Sequence, residues 1–297
     1  MESMRDIKRR INSVKNTQKI TKAMKMVAAA KLKRAQDKAE EARPFFKKTR
    51  EIINDVFLYT NEATEHPLLK PKEGNRHLYI VVNSDRGLCG SYNARVIEKT
   101  RKSFQHDEEI SLIVIGRNAR DFFKKRDYNI ISEYIGIDDY PDYWFAKRIT
   151  DEVISLFKED IIDYVSLIYT HFNSAISQIV KAIPILPVQQ IKELGTSDRH
   201  PEDSEELEEP KQVSYIYEPS PDEVLDILLP KYINNVLYST LLEAKASEFG
   251  ARMTAMDSAT DNAGELIDEL TLLYNRARQA AITKELSEIV GGAEALK

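Results

Sequence analysis

One strand-to-helix loop, SDRGLCGSYNAR (residues 84–95), has the glycines and the position to cradle a phosphate. Free backbone N–H groups at the start of a helix favour anions, so nucleotide chemistry would sit here. The loop is not GxGxxG, and it lacks the GK[ST] ending of a P-loop. It therefore reads as a tight turn, with Gly87 and Gly90 expected at unusual dihedrals. The histidines (His66, His77, His106, His171, His200) are scattered, and Cys89 has neither a CxxC partner nor a histidine neighbour. No metal site and no nucleophile–base set follows from such spacing. Asp257, Asp261, Glu265 and Asp268 recur at helical steps, the pattern of a solvated stripe rather than of a catalytic carboxylate pair. Catalytic, cofactor-binding and metal residues are all expected to be absent.

Binding chemistry is more legible near the C-terminus. YNRARQAAITKEL places Arg276, Arg278, Gln279, Thr283 and Glu285 on one stretch. Guanidinium and amide groups there suit charge-assisted hydrogen bonds to acidic loops of a surrounding protein. The final IVGGAEALK puts two glycines and small apolar residues where a free helix end is normally polar. A smooth tip of that kind suits an apolar collar.

Two long helices must position these groups. Residues 231–297 contain no proline, and small or apolar residues recur there in steps of three and four. They run Leu242, Ala246, Phe249, Met253, Met256, Thr260, Ala263, Ile267, Leu270, Tyr274, Ala277, Ala281. A 3.5-residue period held this long indicates a supercoiled helix, on the order of 100 Å long at about 1.5 Å per residue. Residues 1–43 are also proline-free. Their seam begins at Ile7, Ile11 and Val14 and resumes at Ala28, Leu32, Ala35, Ala39, Ala42 and Phe46. Between them the apolar phase slips through Ile20, Met24 and Val27, which predicts a stutter. The two helices are expected to pack antiparallel, the second overhanging by about 24 residues, roughly 36 Å. A tip of that length needs another protein around it. Ser3 and Asp6 predict the first helix start, and Pro44 a kink or restart.

Between the helices the period changes. Residues 60–75 read as a connecting loop. Strands are expected at 77–83, 110–115, 128–135, 165–169 and 179–185, with helices at 93–104, 117–126 and 142–159. This alternation predicts a mainly parallel α/β sheet with crossover connections. Residues 195–212 form an acidic surface loop, followed by a short strand over Val213–Tyr217. The fold class is thus α/β: a long antiparallel coiled coil of N- and C-terminal helices with an inserted Rossmann-like domain. The expected divisions are 1–60, 61–217 and 218–297.

Composition agrees. The 31% charged residues suit long solvated helix faces. Net charge is −5, yet residues 1–43 carry 13 Lys or Arg against 5 Asp or Glu. That basic surplus faces either the acidic second helix or an acidic partner. A lone cysteine points to a reducing compartment, and no apolar run approaches the ~20 residues of a membrane span. RNA binding by the basic arm is disfavoured, because residues 1–43 have no aromatic side chain for base stacking. A dehydrogenase or kinase with helical extensions founders on the missing phosphate loop.

Two terminal segments, IKRRINSVKNTQKITKAMKMVAAAKL and LYNRARQAAITKELSEIVGGAEAL, resemble the gamma-subunit family of F-type ATP synthases. SDRGLCGSYN is similar to that family's loop after the first strand, and the likeness runs the whole chain in order. The resemblance implies a rotating central shaft with no active site of its own. Three alpha and three beta subunits would surround it, with the epsilon and delta subunits and the membrane c-ring in the same complex. It also implies a peripheral location on the cytoplasmic face of the cell membrane, no cofactor and no nucleic acid. By the same resemblance Arg278, Gln279, Thr283 and Glu285 match positions that engage a beta-subunit loop. Arg86 and Cys89 match a loop near an acidic beta-subunit segment, and Met24 lies by that contact. Lys25 departs from the family's frequent AMEMVA pattern, where an acidic residue stands. No thiol switch is expected, since Cys89 stands alone.

Overall fold

The structure is a computed structural model that describes residues 3–59, 66–188 and 221–295. In order, the elements are α1 (Met4–Tyr59), β1 (Arg76–Val82), α2 (Tyr92–Ser103), β2 (Glu109–Ile115), α3 (Arg117–Lys124), β3 (Asn129–Tyr134), α4 (Tyr143–Lys158), β4 (Tyr164–Phe172), β5 (Gln178–Leu186) and α5 (Pro221–Ala295). The acidic 195–212 segment and the strand expected at Val213–Tyr217 lie outside the described residues. The chain divides into two compact units, Met1–Ala29 with Arg252–Lys297, and Ala30–Ala251.

In the larger unit the strands order as β3-β2-β1-β4-β5, with β4–β5 antiparallel and the other pairs parallel. β1 sits in the middle and is buried on both faces, which explains its unbroken LYIVV run. Alternate side chains serve two cores. Leu78, Ile80 and Val82 face α4 and the first turns of α5, through Phe157, Leu229 and Ile233. Tyr79 and Val81 face α2 and α3, through Val96 and Phe123. β5 is an edge strand, which is why it tolerates Pro184. α4 starts where Asp142 accepts a hydrogen bond from the Phe145 N–H at 2.7 Å.

In the smaller unit the first turns of α1 pack antiparallel on α5. Ile7 and Ile11 cluster with Leu270, and Val14, Ile267, Tyr274 and Ala277 pack around them. The helix starts with the expected box, in which the Asp6 N–H donates to Ser3 Oγ at 3.2 Å and that hydroxyl donates to Asp6 at 2.7 Å.

Three expectations about the helices are corrected. α1 runs unbroken through Pro44, so the helix does not restart there. Phe46, two residues on, stacks edge-to-face on Tyr238 at 5.9 Å, so packing of the flanking turns outweighs the lost backbone bond. The stutter does not occur either. Ile20 and Val27 are 60% and 55% exposed, while Thr21 is 8% exposed and buried. The least exposed side chains of α1 therefore step evenly through Ile7, Ile11, Val14, Gln18, Thr21, Lys25, Ala28, Leu32 and Ala35. The heptad is intact, but three consecutive seam positions are polar. Finally, the overhang is shorter than expected. With Ile7 beside Leu270 and Tyr274, α1 begins about level with Arg278, so Gln279–Ala295 extends beyond it for roughly 25 Å. The helices are 56 and 75 residues long, because α1 continues to Tyr59 and α5 begins at Pro221. Counting proline-free residues underestimated the shorter helix most.

Candidate partner-binding surface

Four of the expected contact residues share the overhang. Arg278, Gln279, Thr283 and Glu285 are all exposed. Thr283 Oγ1 donates to the Gln279 carbonyl of its own helix at 3.0 Å. At about 100° per residue, Ile282, Leu286 and Ile289 fall within roughly 60° of one another. All three are exposed, as is Val290. Arg278 and Glu285 border this stripe on one side, Gln279 and Thr283 on the other. The i, i+4, i+7 spacing of apolar anchors, with polar flanks, is the pattern of a helix seated in a groove. Gly291 has no heavy atom within 4 Å of where a Cβ would stand, so the tip stays slim.

Met24 and Lys25 lie elsewhere on the same unit. Lys25 Nζ is 2.5 Å from Asp257 Oδ1, so this lysine bridges to α5 rather than reaching freely outward. That ion pair answers the departure from the acidic pattern: the positive charge at this position has a carboxylate beside it. Asp257 lies about 31 Å of helix rise below Arg278, so the two contact groups are well separated along α5. Met24 is half-buried, and Ile20 and Val27 beside it are exposed. The periodic reading assigned those two to the seam; their helical angle relative to Ile11 and Ala28 was the signal against it.

Arg86 and Cys89 belong to the other unit. Arg86 is exposed, but Cys89 is only 1% exposed. Its Sγ accepts from Asn93 Nδ2 at 3.3 Å and lies 3.8 Å from the Arg86 carbonyl. Cys89 is therefore held inside the loop and shapes it. Leu88, at φ +61°, is the exposed apolar residue there, and sequence reading passed over it. Gly90 has φ +58°, whereas Gly87 is not in the left-handed region, correcting one of the two expected dihedrals. Asp85 ties the loop down, accepting from the Arg117 N–H and the Ile137 N–H, both at 2.9 Å.

One group in the larger unit looks catalytic at first sight. Ser166 Oγ is 2.9 Å from His77 Nε2, and His77 Nδ1 is 3.0 Å from Glu108 Oε1. His77 and Glu108 border a cavity of 390 Å³ with Asn75, His106 and Tyr164. Ser166, however, sits mid-strand, paired with Tyr79 on one side and Pro184 on the other. The surrounding backbone donors belong to the sheet ladder, so no oxyanion site faces its hydroxyl. His77 stacks on Tyr79 at 4.1 Å, and Glu108 also accepts the Tyr79 hydroxyl at 2.7 Å. The group thus satisfies polar side chains at one end of the sheet. Among the described residues no cluster of His, Cys, Asp and Glu is placed to hold a metal ion.

This network makes stability pH-dependent. Burial pushes the His77 imidazole down despite the Glu108 carboxylate beside it. Burial also acts to raise Glu108, but hydrogen bonds from Tyr79, the Gln105 N–H and His77 outweigh it and hold the carboxyl low. In both cases the unfolded chain binds the proton more readily, so stability falls as pH drops. The loss begins below 6.5 for His77 and below 4.5 for Glu108. The melting temperature should therefore decline as the pH falls below 6.5, and less steeply in H77Q. An equally steep decline in H77Q would remove His77 as its source.

The chain matches a family model described as ATP synthase over residues 3–296. It is 64% identical over 297 residues to the ATP synthase gamma chain of Halothermothrix orenii, covering 100% of both chains. It is 48% identical over 296 residues to that of Heliobacterium modesticaldum, again covering 100% of both. Among solved structures it resembles a chain of the Tetrahymena thermophila mitochondrial ATP synthase central stalk and c-ring. There the TM-score is 0.58 at 25% identity, covering 81% of this chain and 99% of that one. A chain of the Euglena gracilis mitochondrial ATP synthase aligns with TM-score 0.67 at 18% identity, covering 99% and 94%, which bears on the fold alone.

Proposed function

The chain belongs to the ATP synthase gamma-chain family, and from that premise we propose that it acts as the central rotary shaft of an F-type ATP synthase, carrying torque without catalysing any step. The observation that carries this reading is the segment Gln279–Ala295, a helix with an exposed apolar stripe and no described segment of its own chain against it. An isolated helix of that length is marginal in water, and exposed Ile282, Leu286, Ile289 and Val290 favour a surrounding protein. Three alpha and three beta subunits fit that place. Arg278, Gln279, Thr283 and Glu285 would meet a beta-subunit loop, while Ile20, Met24 and Val27 offer a second, apolar contact nearer the base. Arg86 and Leu88 would present the first-strand loop to an acidic beta-subunit segment.

Rotation of an asymmetric pair of helices turns different side chains toward each beta subunit in sequence. Nucleotide affinity at three equivalent sites then changes in order, since a contact made more strongly in one state shifts that site's equilibrium. The epsilon and delta subunits and the c-ring would belong to the same complex. No helix among the described residues is long and apolar enough to cross a membrane, so attachment at the cytoplasmic face would run through those subunits.

The test is to purify the tagged chain from its native membranes and assay the eluate. Alpha and beta subunits at three copies per shaft, with ATPase activity that the isolated chain lacks, are expected. Nucleotide turnover by the isolated chain, or recovery of RNA in place of these subunits, would refute the reading.

A further inference from the structure

The shaft's seam has a polar interruption that the rotary role leaves unexplained. Gln18, Thr21 and Lys25 occupy consecutive seam positions on α1, opposite Gly264, Thr260 and Asp257 on α5. Above them the seam is apolar, with Ile7, Ile11 and Leu270 in one cluster. We propose that this polar layer, centred on the Thr21–Thr260 hydroxyl pair and the Gln18 amide over Gly264, is the register lock that fixes the axial offset of the two helices.

An apolar heptad seam repeats every seven residues, so it fits almost as well after a shift of one heptad. Seam residues as small as Ala28 and Ala263 discriminate such shifts weakly. The polar layer does not repeat. Thr21 Oγ1 and Thr260 Oγ1 are 2.8 Å apart, and one proton must lie between them, because two bare oxygens at that distance repel. Each hydroxyl also has a carbonyl of its own helix in reach, Gln18 O at 3.0 Å and Met256 O at 2.7 Å. Those local bonds would survive a slip; the bridge between helices would not.

Gln18 adds a steric key. A Cβ on residue 264 would stand 3.2 Å from Gln18 Nε2, so glycine there lets the amide lie close without giving way by a few tenths of an ångström. The same nitrogen is 3.5 Å from the Thr260 carbonyl, the weakest contact of the set. A one-heptad shift would set the amide against Thr271 or Asp257, where a side chain stands in place of the glycine, and Thr21 against Ile267 or Met253. Either shift therefore puts the Thr21 hydroxyl onto bulky hydrocarbon and leaves it without its partner across the seam. The Lys25–Asp257 pair is 40% and 45% exposed, so it adds direction but little energy. A single polar layer that selects one register at some cost in stability is a known device of coiled coils.

Given the shaft reading, on which this inference rests, the offset matters because the contact groups sit on different helices. A one-heptad slip is about 10 Å of rise. It would displace Met24 and Lys25 by that much relative to Arg278 and Glu285, so torque at one end would not reach the other in phase.

The experiment uses cysteine pairs in the full chain, both alone and in the assembled complex, with buried Cys89 left in place. V14C/I267C reports the native register; V14C/Y274C and I11C/A263C report shifts of one heptad in either direction. In the native seam only the first pair should form a disulfide under mild oxidation. In Q18A/T21V/T260V the shifted disulfides should rise at least about fivefold, without loss of thermal stability, because like-shaped apolar groups replace both partners of the bridge. Proton transport per ATP hydrolysed should fall, while T21S/T260S, which keeps both hydroxyls, should behave as the native chain. Shifted disulfides at the native level in the triple variant, or failure of the serine variant to hold register, would overturn the lock. Shifted disulfides with full coupling would leave the lock standing and count against the shaft reading instead.

Discussion

A chain carrying R278A and Q279A should assemble poorly or lose coupling, while its larger unit melts as before. Both side chains are exposed and outside the folded core, so their removal leaves that core untouched. Hydrogen bonds to charged groups contribute about 1.5–3 kcal/mol each. Losing two at one interface corresponds to at least a hundredfold in the affinity of that contact. Coupled ATP synthesis in membranes should then fall by about tenfold or more, the remaining contacts absorbing part of the loss. I282D with L286D should act more severely. It buries two carboxylates in the collar that the exposed stripe implies, at several kcal/mol each. The checks are ATP synthesis driven by an imposed proton gradient, subunit stoichiometry of the purified complex, and thermal melting of the free chain. Normal coupling in both variants would detach the overhang from torque transmission and leave the apolar stripe without a role.

How far the sequence foretold this surface depended on which chemistry marked it. The α5 seam from Leu242 to Ala281 was readable throughout, because every one of its positions is small or apolar and each is buried or half-buried. The α1 seam was misread where it turns polar. Gln18, Thr21 and Lys25 carry no hydrophobic signal, so Ile20 and Val27 drew the periodic pattern off its face. Angular phase relative to Ile11 and Ala28, applied strictly, would have found them. The five strands were legible because β1, β2 and β4 are continuous buried β-branched runs, bounded by polar turns. Pairing order was not, since alternation of strand and helix fixes handedness but not which strand occupies the centre. The dihedral of Gly87 and the burial of Cys89 were not legible for a local reason: how the loop folds inward depends on Asn93 and Asp85, whose bonds no spacing rule encodes. Ser3 with Asp6 was legible, because a capping box is written in four consecutive residues.

Gly116→Ala should lower the melting temperature of the larger unit sharply, while Gly87→Ala should barely change it. Gly116 ends β2 at φ +101°, a backbone conformation that costs an L-residue about 1–3 kcal/mol. Its absent side chain also makes room for a neighbouring chain. A Cβ there would stand 2.4 Å from the Asn83 carbonyl oxygen and 2.7 Å from its carbon. Those atoms are backbone, fixed by the Asn83 N–H donating to the Ile115 carbonyl at 2.8 Å, so they cannot rotate away as a flexible side chain would. Strain and overlap together should cost about 3 kcal/mol or more. For a unit of this size that corresponds to roughly 6–12 °C. Gly87 has no heavy atom within 4 Å of its notional Cβ and no left-handed φ, so its substitution meets neither penalty. The functional consequence follows from where Gly116 pushes. Asn83 leads directly into Ser84, whose carbonyl accepts from Asn118 Nδ2 at 2.8 Å and whose hydroxyl lies 2.7 Å from the Arg86 carbonyl. Displacing Asn83 should therefore shift Arg86 and Leu88, the loop's exposed groups, and weaken coupling beyond what the loss of stability alone explains. Calorimetry of both alanine variants, with coupling measured well below either melting point, separates the two effects. Equal melting shifts for the two glycines would show that backbone strain at Gly116 is not what holds this loop in place.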